Sequence, residues 1–226
     1  MLVEAGHLYY TMHMSTRRIF LSRFGFGTSA LGAALGLGSS SALAQSASDS
    51  RFQPARHPQD DWLDELPGKH RCFFDATTAE ELADAILFAG NYFTGSKNGY
   101  GLEPGDLALI IGMRHQAAPF AFTDAMWSKH GVVLSKRAKW VDPKSSQPGL
   151  ANPRQTQLNN LAKRGVRFTV CDLSTRAIAG LIADSIGGKA DDVYPQLIAN
   201  RVDSARQVPA GIVALNRAQE HGYSTM

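Results

Sequence analysis

The sequence predicts an α/β fold in which a mainly parallel sheet lies between two layers of helices. After residue 68 the apolar residues alternate between short runs typical of buried strands and longer stretches with the period of a helix. The run 106–113 (DLALIIGM) is almost wholly apolar, which is typical of a strand covered on both faces. Parallel neighbours need crossovers, and right-handed crossovers through helices can cover both faces of a sheet. The alternation therefore predicts a three-layer sandwich.

The first half of this region contains two predicted strands and two predicted helices. Residues 71–74 (RCFF) predict a short buried strand, and the spacing of Thr77 and Glu80 predicts a capping box that begins a helix ending near Phe93. Glycine-containing clusters at 97–101 and 104–105 predict loops. The strand 106–113 follows, and a second helix is predicted over 121–130.

The second half continues the alternation. We expect a long irregular excursion over 135–153, a helix that begins at Asn152-Pro153 and is ended by Gly165, and a strand over 166–171. Helices are predicted over 174–186, with Ser174 as the N-cap, over 191–204 and over 211–222. An edge strand is a candidate at Tyr223.

The residues before this alternation differ in composition. Residues 45–67 are polar, carry three prolines and lack apolar periodicity, which predicts a linker or a surface arm ahead of a domain over 68–226. The whole chain has 23 Lys+Arg and 20 Asp+Glu, and setting aside residues 1–44, which hold three arginines and Glu4, leaves 20 against 19. This balance excludes a general nucleic-acid footprint, so we expect no nucleic-acid partner.

Residues 1–44 follow the order basic, apolar and small that is typical of an export signal. The two adjacent arginines of 16–21 (TRRIFL) resemble the twin-arginine motif, a weakly apolar Gly- and Ala-rich stretch follows, and 42–44 (ALA) fits a signal-peptidase site. The pattern predicts a twin-arginine signal peptide, with 1–13 as a candidate upstream extension. It implies the twin-arginine export machinery as a partner and the bacterial periplasm as the location. The alternative is a basic, glycine-rich disordered tail.

Three of the predicted strands end in residues that can carry chemistry. In open parallel α/β sheets the working crevice lies at the carboxyl ends of the strands. This rule selects Asp75 and Thr77 after the first strand, Arg114 and His115 after the second, and Cys171 after the third.

Cys171 is the candidate nucleophile. It ends a predicted strand just before a helix, where backbone N–H groups and Arg176 favour a thiolate. Asp172 acts in the opposite direction, because it places a negative charge next to the sulfur. The alternative is a structural cysteine, since free cysteines are among the most buried residues. Cys72 is predicted to be a core residue, too far from Cys171 along the sheet for a disulfide.

Arg114 and His115 are candidate ligand-binding residues. The histidine could act as an acid or base, bind a metal or haem, or contact an anion beside the arginine, and the alternative is a loop histidine bound to the backbone. No second ligand stands at a metal-site spacing from it, and the sequence has no HExxH, CxxC, GxSxG or P-loop motif and no GxGxxG loop that follows a predicted strand. We therefore expect no metal and no cofactor, and the commonest hydrolase, kinase and dehydrogenase classes are excluded.

Several motifs of the predicted domain occur together in one known family. They are DATT at 75–78, LFAGNYF, the strand ending in MRH, PFAFTDAMW, GVRFTVC and the final AGIVALNRAQEHGY. Together they resemble the DsrE/DsrF-like family, in particular exported members with twin-arginine signals. The resemblance implies a compact three-layer domain that assembles into homotrimers or homohexamers. It also implies that Cys171 matches the cysteine on which sulfur-relay members carry sulfane sulfur for a partner.

Two functions are compatible with these residues, and whether the protein is an enzyme stays open. The first is a periplasmic sulfur-handling protein in which Cys171 accepts sulfane sulfur as a persulfide from a donor, while Arg114 and His115 bind the anionic part of that donor. The second is a non-catalytic oligomeric module that binds a small ligand in the crevice, with Cys171 merely packed. Asp75, Thr77 and Arg176 complete the predicted ligand-binding set under either hypothesis.

Overall fold

The computed structural model describes residues 53–226, so the predictions for residues 1–44 and 45–52 lie outside the described residues. Five parallel strands form one sheet in the order β4-β3-β2-β1-β5. They are β1 (His70–Ala76), β2 (Leu107–Met113), β3 (Arg167–Cys171), β4 (Ala205–Val208) and β5 (Ser224–Thr225). In the pairing of β3 with β4, Cys171 lies opposite Val208.

Six α-helices flank the sheet in the part of the chain that the structure describes. They are α1 (Ala79–Tyr100), α2 (Asp124–Ala138), α3 (Gln155–Lys163), α4 (Asp172–Ile186), α5 (Ala190–Ala199) and α6 (Gly211–Glu220). Short 3-10 helices occupy Pro58–Leu63, Pro104–Asp106 and Ala118–Ala121. The predicted α/β three-layer architecture is confirmed. Over residues 53–226, none of the helices has the length and apolar character needed to cross a bilayer.

The order of the strands explains which helices cover which face. The chain moves from β1 to β4 in one direction across the sheet, so right-handed crossovers place α1 to α5 on one face. Helix α6 returns from β4 to β5 at the opposite edge and therefore covers the other face. Adjacent residues of one strand accordingly enter different cores: Phe74 packs into the larger core and Phe73 into the smaller one.

The same topology favours a crevice outside the carboxyl ends of β3 and β4. These strands are neighbours, yet the chain leaves β3 into α4 on one face and leaves β4 into α6 on the other. Where neighbouring strands send their connections to opposite faces, the connections part and leave a crevice outside the carboxyl ends. The side chain at the end of β3 is Cys171.

Part of the predicted linker or arm is integral to the smaller core. Trp62, Leu63 and Leu66 are buried there, and the Tyr223 hydroxyl donates to the Leu63 carbonyl at 2.7 Å. Arg217 of α6 donates to Asp60 at 2.7 Å. Residues 58–66 are thus an arm fixed to the domain, and the domain begins well before the predicted boundary at residue 68. The apolar residues of this arm are too few to show a period, which is why the sequence suggested a linker.

Two predicted helix ends were wrong. Helix α1 continues through the glycine-containing cluster to Tyr100 and ends at Gly101, whose φ of 68° is the left-handed conformation that glycine adopts without strain. Its capping box joins Thr78 and Glu81, one residue after the predicted pair. Helix α2 begins at Asp124 and continues past His130 to Ala138, so the irregular excursion is shorter than predicted.

The region before α6 also differs from the prediction. The helix expected over 191–204 ends at Ala199, and the strand β4 follows it. This strand has only four residues, of which two are polar or charged, because it lies at the edge of the sheet. A short run without apolar periodicity gives no strand signal.

The buried His130 at the kink in α2 is expected to make stability depend on pH. His130 has non-helical φ and ψ of −132° and 20°, its side chain is buried, and its Nε2 has no hydrogen-bond partner within residues 53–226. Burial, together with the charge of Lys129, lowers the pKa of His130 below its ordinary value of 6.5.

We expect the free energy of unfolding to fall as the pH drops below about 6.5, because His130 then binds a proton in the unfolded chain but not in the folded chain. The unfolding free energy continues to fall down to the lowered pKa of His130 in the folded chain, at a slope of at most about 1.4 kcal/mol per pH unit. His130→Gln should flatten this part of the profile in urea titrations between pH 7.5 and 5. The control His70→Gln replaces an exposed histidine and should leave the slope in place.

Candidate functional site

The sulfur of Cys171 lies where two helices begin. Cys171 is the last residue of β3 and the N-cap of α4, and it is 7% exposed. The N–H groups of Leu173 and Ser174 face it from the first turn of α4, and the N–H of Gly211 faces it from the first residue of α6. The sulfur makes no regular capping hydrogen bond, so these groups act on it mainly through their charge distribution.

These donors favour the thiolate form of Cys171. Burial by itself raises the pKa of the thiol, but the Ser174 hydroxyl and the three N–H groups outweigh it and the pKa is lowered below the ordinary value. Cys72 provides the contrast within the same sheet, since burial raises the pKa of its thiol. Both cysteines are free. The site can therefore hold a nucleophilic sulfur, whereas Cys72 is an inert core residue.

The predicted N-cap was wrong, and the correction brings Ser174 into the site. Helix α4 begins at Asp172, so Ser174 lies in its first turn. Its hydroxyl oxygen accepts the N–H of His115 at 3.0 Å, which leaves the hydroxyl hydrogen for the sulfur. Ser174 is thus a link between the loop after β2 and the thiol.

Arg114 and Asp75 form a partly buried ion pair beside the sulfur. Arg114 Nε donates to Asp75 Oδ1 at 2.9 Å and Arg114 Nη2 donates to Asp75 Oδ2 at 2.6 Å, with the side chains 28% and 17% exposed. Asp75 raises the pKa of the guanidinium, whose charge also interacts with Cys171. Within the described residues, Arg114 Nη1 has no hydrogen-bond partner and stays free for a ligand. The structure thus brings together three of the residues that the rule of strand ends selected, namely Asp75, Arg114 and Cys171.

His115 contributes through its backbone. Its φ of 53° turns the chain sharply after β2 and aims its N–H at Ser174. Its ring is exposed, with Nε2 at 3.3 Å from the Gln116 amide nitrogen. A positive φ is uncommon for a residue other than glycine, so this turn is a position where the fold imposes a conformation.

Thr77 joins two loops. Its N–H and hydroxyl donate to the carboxylate of Glu81, which lowers the pKa of that group, and its carbonyl accepts the N–H groups of Gln116 and Ala117. The polar atoms of Thr77 are therefore occupied by the protein, and the residue fixes the position of the loop that carries Arg114.

Arg176 binds Asp172. Its Nε donates to Asp172 Oδ2 at 2.7 Å, and its guanidinium lies 4.4 Å from the ring centroid of Tyr194. Asp172 Oδ1 accepts the hydroxyl of Tyr194 and the amide of Gln207. Burial alone would raise the pKa of Asp172, but the bonds from Tyr194 and Arg176 lower it overall. The negative charge of Asp172, which was expected to oppose the thiolate, is thus balanced by Arg176. Because Arg176 is bound to Asp172, it does not act on the sulfur directly.

Gly211 was not identified from the sequence as a residue of the site. A β-carbon at this position would lie 2.8 Å from both Cβ and Cδ of Arg114, so the absence of a side chain lets α6 approach the ion pair and the sulfur together. The segment 209–211 (PAG) signals the start of a helix but carries no sign of what that helix approaches. Only the return of α6 across the sheet places it there.

Comparisons with known proteins give no functional assignment. No family model matches the sequence, and no curated protein matches it. Among solved structures, a protein of unknown function from Methanobacterium thermoautotrophicum matches with a TM-score of 0.39 and 14% sequence identity, over 70% of this chain and 98% of that one. Within residues 53–226, no three His, Cys, Asp or Glu side chains are grouped to hold a metal ion.

Proposed function

We propose that this protein carries sulfane sulfur on Cys171 as a persulfide. The observation that carries the proposal is the set of donors around one sulfur, namely the Ser174 hydroxyl and the N–H groups of Leu173, Ser174 and Gly211, which lower the pKa of the thiol despite its burial. A thiolate is the nucleophilic form of cysteine. The resemblance to sulfur-relay proteins agrees with this use of the residue, and it directs the choice of sulfane sulfur as the cargo.

The transfer requires one bond to form and one to break. The Cys171 thiolate attacks the outer sulfur of a donor persulfide R–S–SH, the new bond joins Sγ to that sulfur, and the donor leaves as R–S⁻. The products are Cys171–S–SH and a thiolate, so charge and electrons balance without an oxidant. The same groups that lower the pKa of Cys171 can stabilise the anionic persulfide after transfer.

Arg114 is placed to bind the sulfur donor. Its free Nη1 can bind an anionic group of a persulfide or thiosulfate donor, while Asp75 holds the rest of the guanidinium in place. His115 follows Arg114 in the chain, and its exposed ring is a second group that can contact the donor. In this proposal Thr77 and Arg176 act by positioning the loop and Asp172.

The proposal also includes a cellular location and an oligomeric state. The leader-like pattern of residues 1–44 supports export by the twin-arginine machinery and work in the bacterial periplasm, and the family resemblance supports a homotrimer or homohexamer that exchanges sulfur with a donor or acceptor protein. A folded domain that leaves the cytoplasm by this route would meet its sulfur donor outside it.

A second candidate is a non-catalytic module that binds a small ligand in the crevice. The observation in its favour is the exposure of Cys171, which is only 7%. Under this alternative the sulfur packs against the two helix ends and never reacts.

Incubation of the full chain with polysulfide, followed by mass spectrometry, separates the two functions. We expect Cys171 to gain the mass of one sulfur atom, the gain to vanish in Cys171→Ser, and dithiothreitol to reverse it. Cys72→Ser is the matched control and should keep the gain, since Cys72 is fully buried with a raised thiol pKa. A wild-type Cys171 that takes up no sulfur and also resists iodoacetamide in the folded state would favour the binding module.

A further inference from the structure

A polar groove, apart from the thiol site, lies along the edge strand β4. Its volume is about 620 Å³, within the range of small-molecule sites. Three arginines line it: Arg167 at the start of β3, Arg201 between α5 and β4, and Arg206 on β4. Glu65 is the one acidic residue in its lining, so the groove carries an excess of two positive charges.

The three arginines are held in position without being neutralised. Arg167 Nη1 donates to the Ser204 hydroxyl at 3.2 Å, Arg201 Nε donates to the Ile198 carbonyl at 3.0 Å, and the Arg206 guanidinium lies 5.3 Å from the centroid of the Trp62 ring. All three anchoring groups are uncharged, so the guanidinium charges are kept while the side chains lose part of their freedom.

Three arginines elsewhere in the described residues are arranged differently. Arg71, Arg114 and Arg217 each bind a carboxylate at 2.7 Å or less. Within residues 53–226, no carboxylate comes within ion-pair distance of the guanidinium groups of the groove, Glu65 included. Guanidinium groups that are oriented but unpaired can donate parallel hydrogen bonds to a carboxylate or phosphate group.

We propose that this arginine groove binds a small molecule that bears at least two phosphate or carboxylate groups. Two anionic groups match the excess of two positive charges, and the groove is larger than a single phosphate ion needs. The Ser204 hydroxyl, which also lines the groove, provides an uncharged polar contact for the same ligand.

The groove is separate from the thiol site. Arg167 is the first residue of β3 and Cys171 is the last, which places them roughly 13 Å apart along the strand. A small ligand among the arginines therefore does not touch the sulfur, and the groove is a site for a second substrate or an effector. This inference stands independently of the persulfide proposal.

Isothermal titration calorimetry of the full chain at low ionic strength tests the groove, with tripolyphosphate and citrate as separate probes. We expect saturable binding of one molecule per chain for at least one probe, and the tighter probe identifies phosphate or carboxylate as the preferred group. Arg201→Gln and Arg167→Gln should each weaken binding at least about tenfold, because each removes charged hydrogen bonds to the ligand. Added salt should weaken it as well.

Arg137→Gln is the matched control, since Arg137 lies in the last turn of α2 outside the groove and its replacement changes the net charge equally. It should change affinity less than about twofold, and Cys171→Ser should leave binding intact. The proposal is overturned if neither probe binds to the wild-type chain, or if Arg137→Gln weakens binding as much as the groove variants do. Thermal unfolding of each variant verifies that the groove variants fold.

Discussion

Replacing Gly211 with alanine is expected to lower the rate at which iodoacetamide alkylates Cys171 at neutral pH by about tenfold or more. The new β-carbon would lie 2.8 Å from Cβ and Cδ of Arg114, closer than such carbons approach one another. Arg114 cannot retreat easily, because its N–H donates to the Ala76 carbonyl at 3.1 Å and its guanidinium is tied to Asp75. The start of α6 must move instead, which withdraws the Gly211 N–H from the sulfur.

Loss of that donor removes a charge-assisted contact from the thiolate and raises the pKa of Cys171. Alkylation rates measured from pH 6 to 10 should therefore show a midpoint shifted to higher pH with a similar plateau. Gly180→Ala is the control, because Gly180 lies in α4 and nothing stands within 4 Å of the position that the new methyl group would take. A Gly211→Ala variant with the wild-type midpoint would show that α6 does not act on the thiol.

Replacing Gly131 with alanine is expected to cost about 2–3 kcal/mol of unfolding free energy. A β-carbon there would lie 2.0 Å from the carbonyl oxygen of Gly149, in a loop whose Gly149 N–H is already bound to the Ser135 hydroxyl at 2.9 Å. Alanine gains up to about 1 kcal/mol over glycine in a helix, but a contact with fixed backbone outweighs that gain.

Urea denaturation should show the loss as a lower midpoint with an unchanged slope. Gly95→Ala is the matched control in an exposed part of α1, where nothing lies within 4 Å of the new carbon, and it should be neutral or stabilising. Equal midpoints for Gly131→Ala and the wild type would mean that the loop 139–151 does not hold α2 at this point.

The three central strands and the layers of the fold could be predicted because they depend on local composition. Leu107–Met113 is buried at every position, and such a run is recognisable without knowledge of its neighbours. Helix ends were less predictable, because tertiary packing decides them. The glycines at 99 and 101 suggested a loop, yet the left-handed cap at Gly101 lets α1 stay helical to Tyr100.

The candidate site was predictable in part for a similar reason. Asp75, Arg114 and Cys171 end neighbouring parallel strands, so the rule of strand ends is sufficient to bring them together. Ser174 and Gly211 could not be assigned to the sulfur from the sequence. One depends on α4 having its N-cap at Cys171, three residues before the predicted N-cap, and the other depends on the path of a helix that begins 40 residues after Cys171.

The late position of α6 in the chain bears on biosynthesis. When Cys171 is added to the growing chain, Gly211, which supplies its third N–H, has not yet been made, and the strand pairing that fixes α6 is completed only by Ser224 and Thr225. The final residues also close the first strand, since the Met226 carbonyl accepts the N–H of Asp75 at 2.9 Å. A nascent chain that lacks α6 thus has only the Leu173 and Ser174 donors beside the sulfur, and the full set of donors forms only once α6 and β5 have docked.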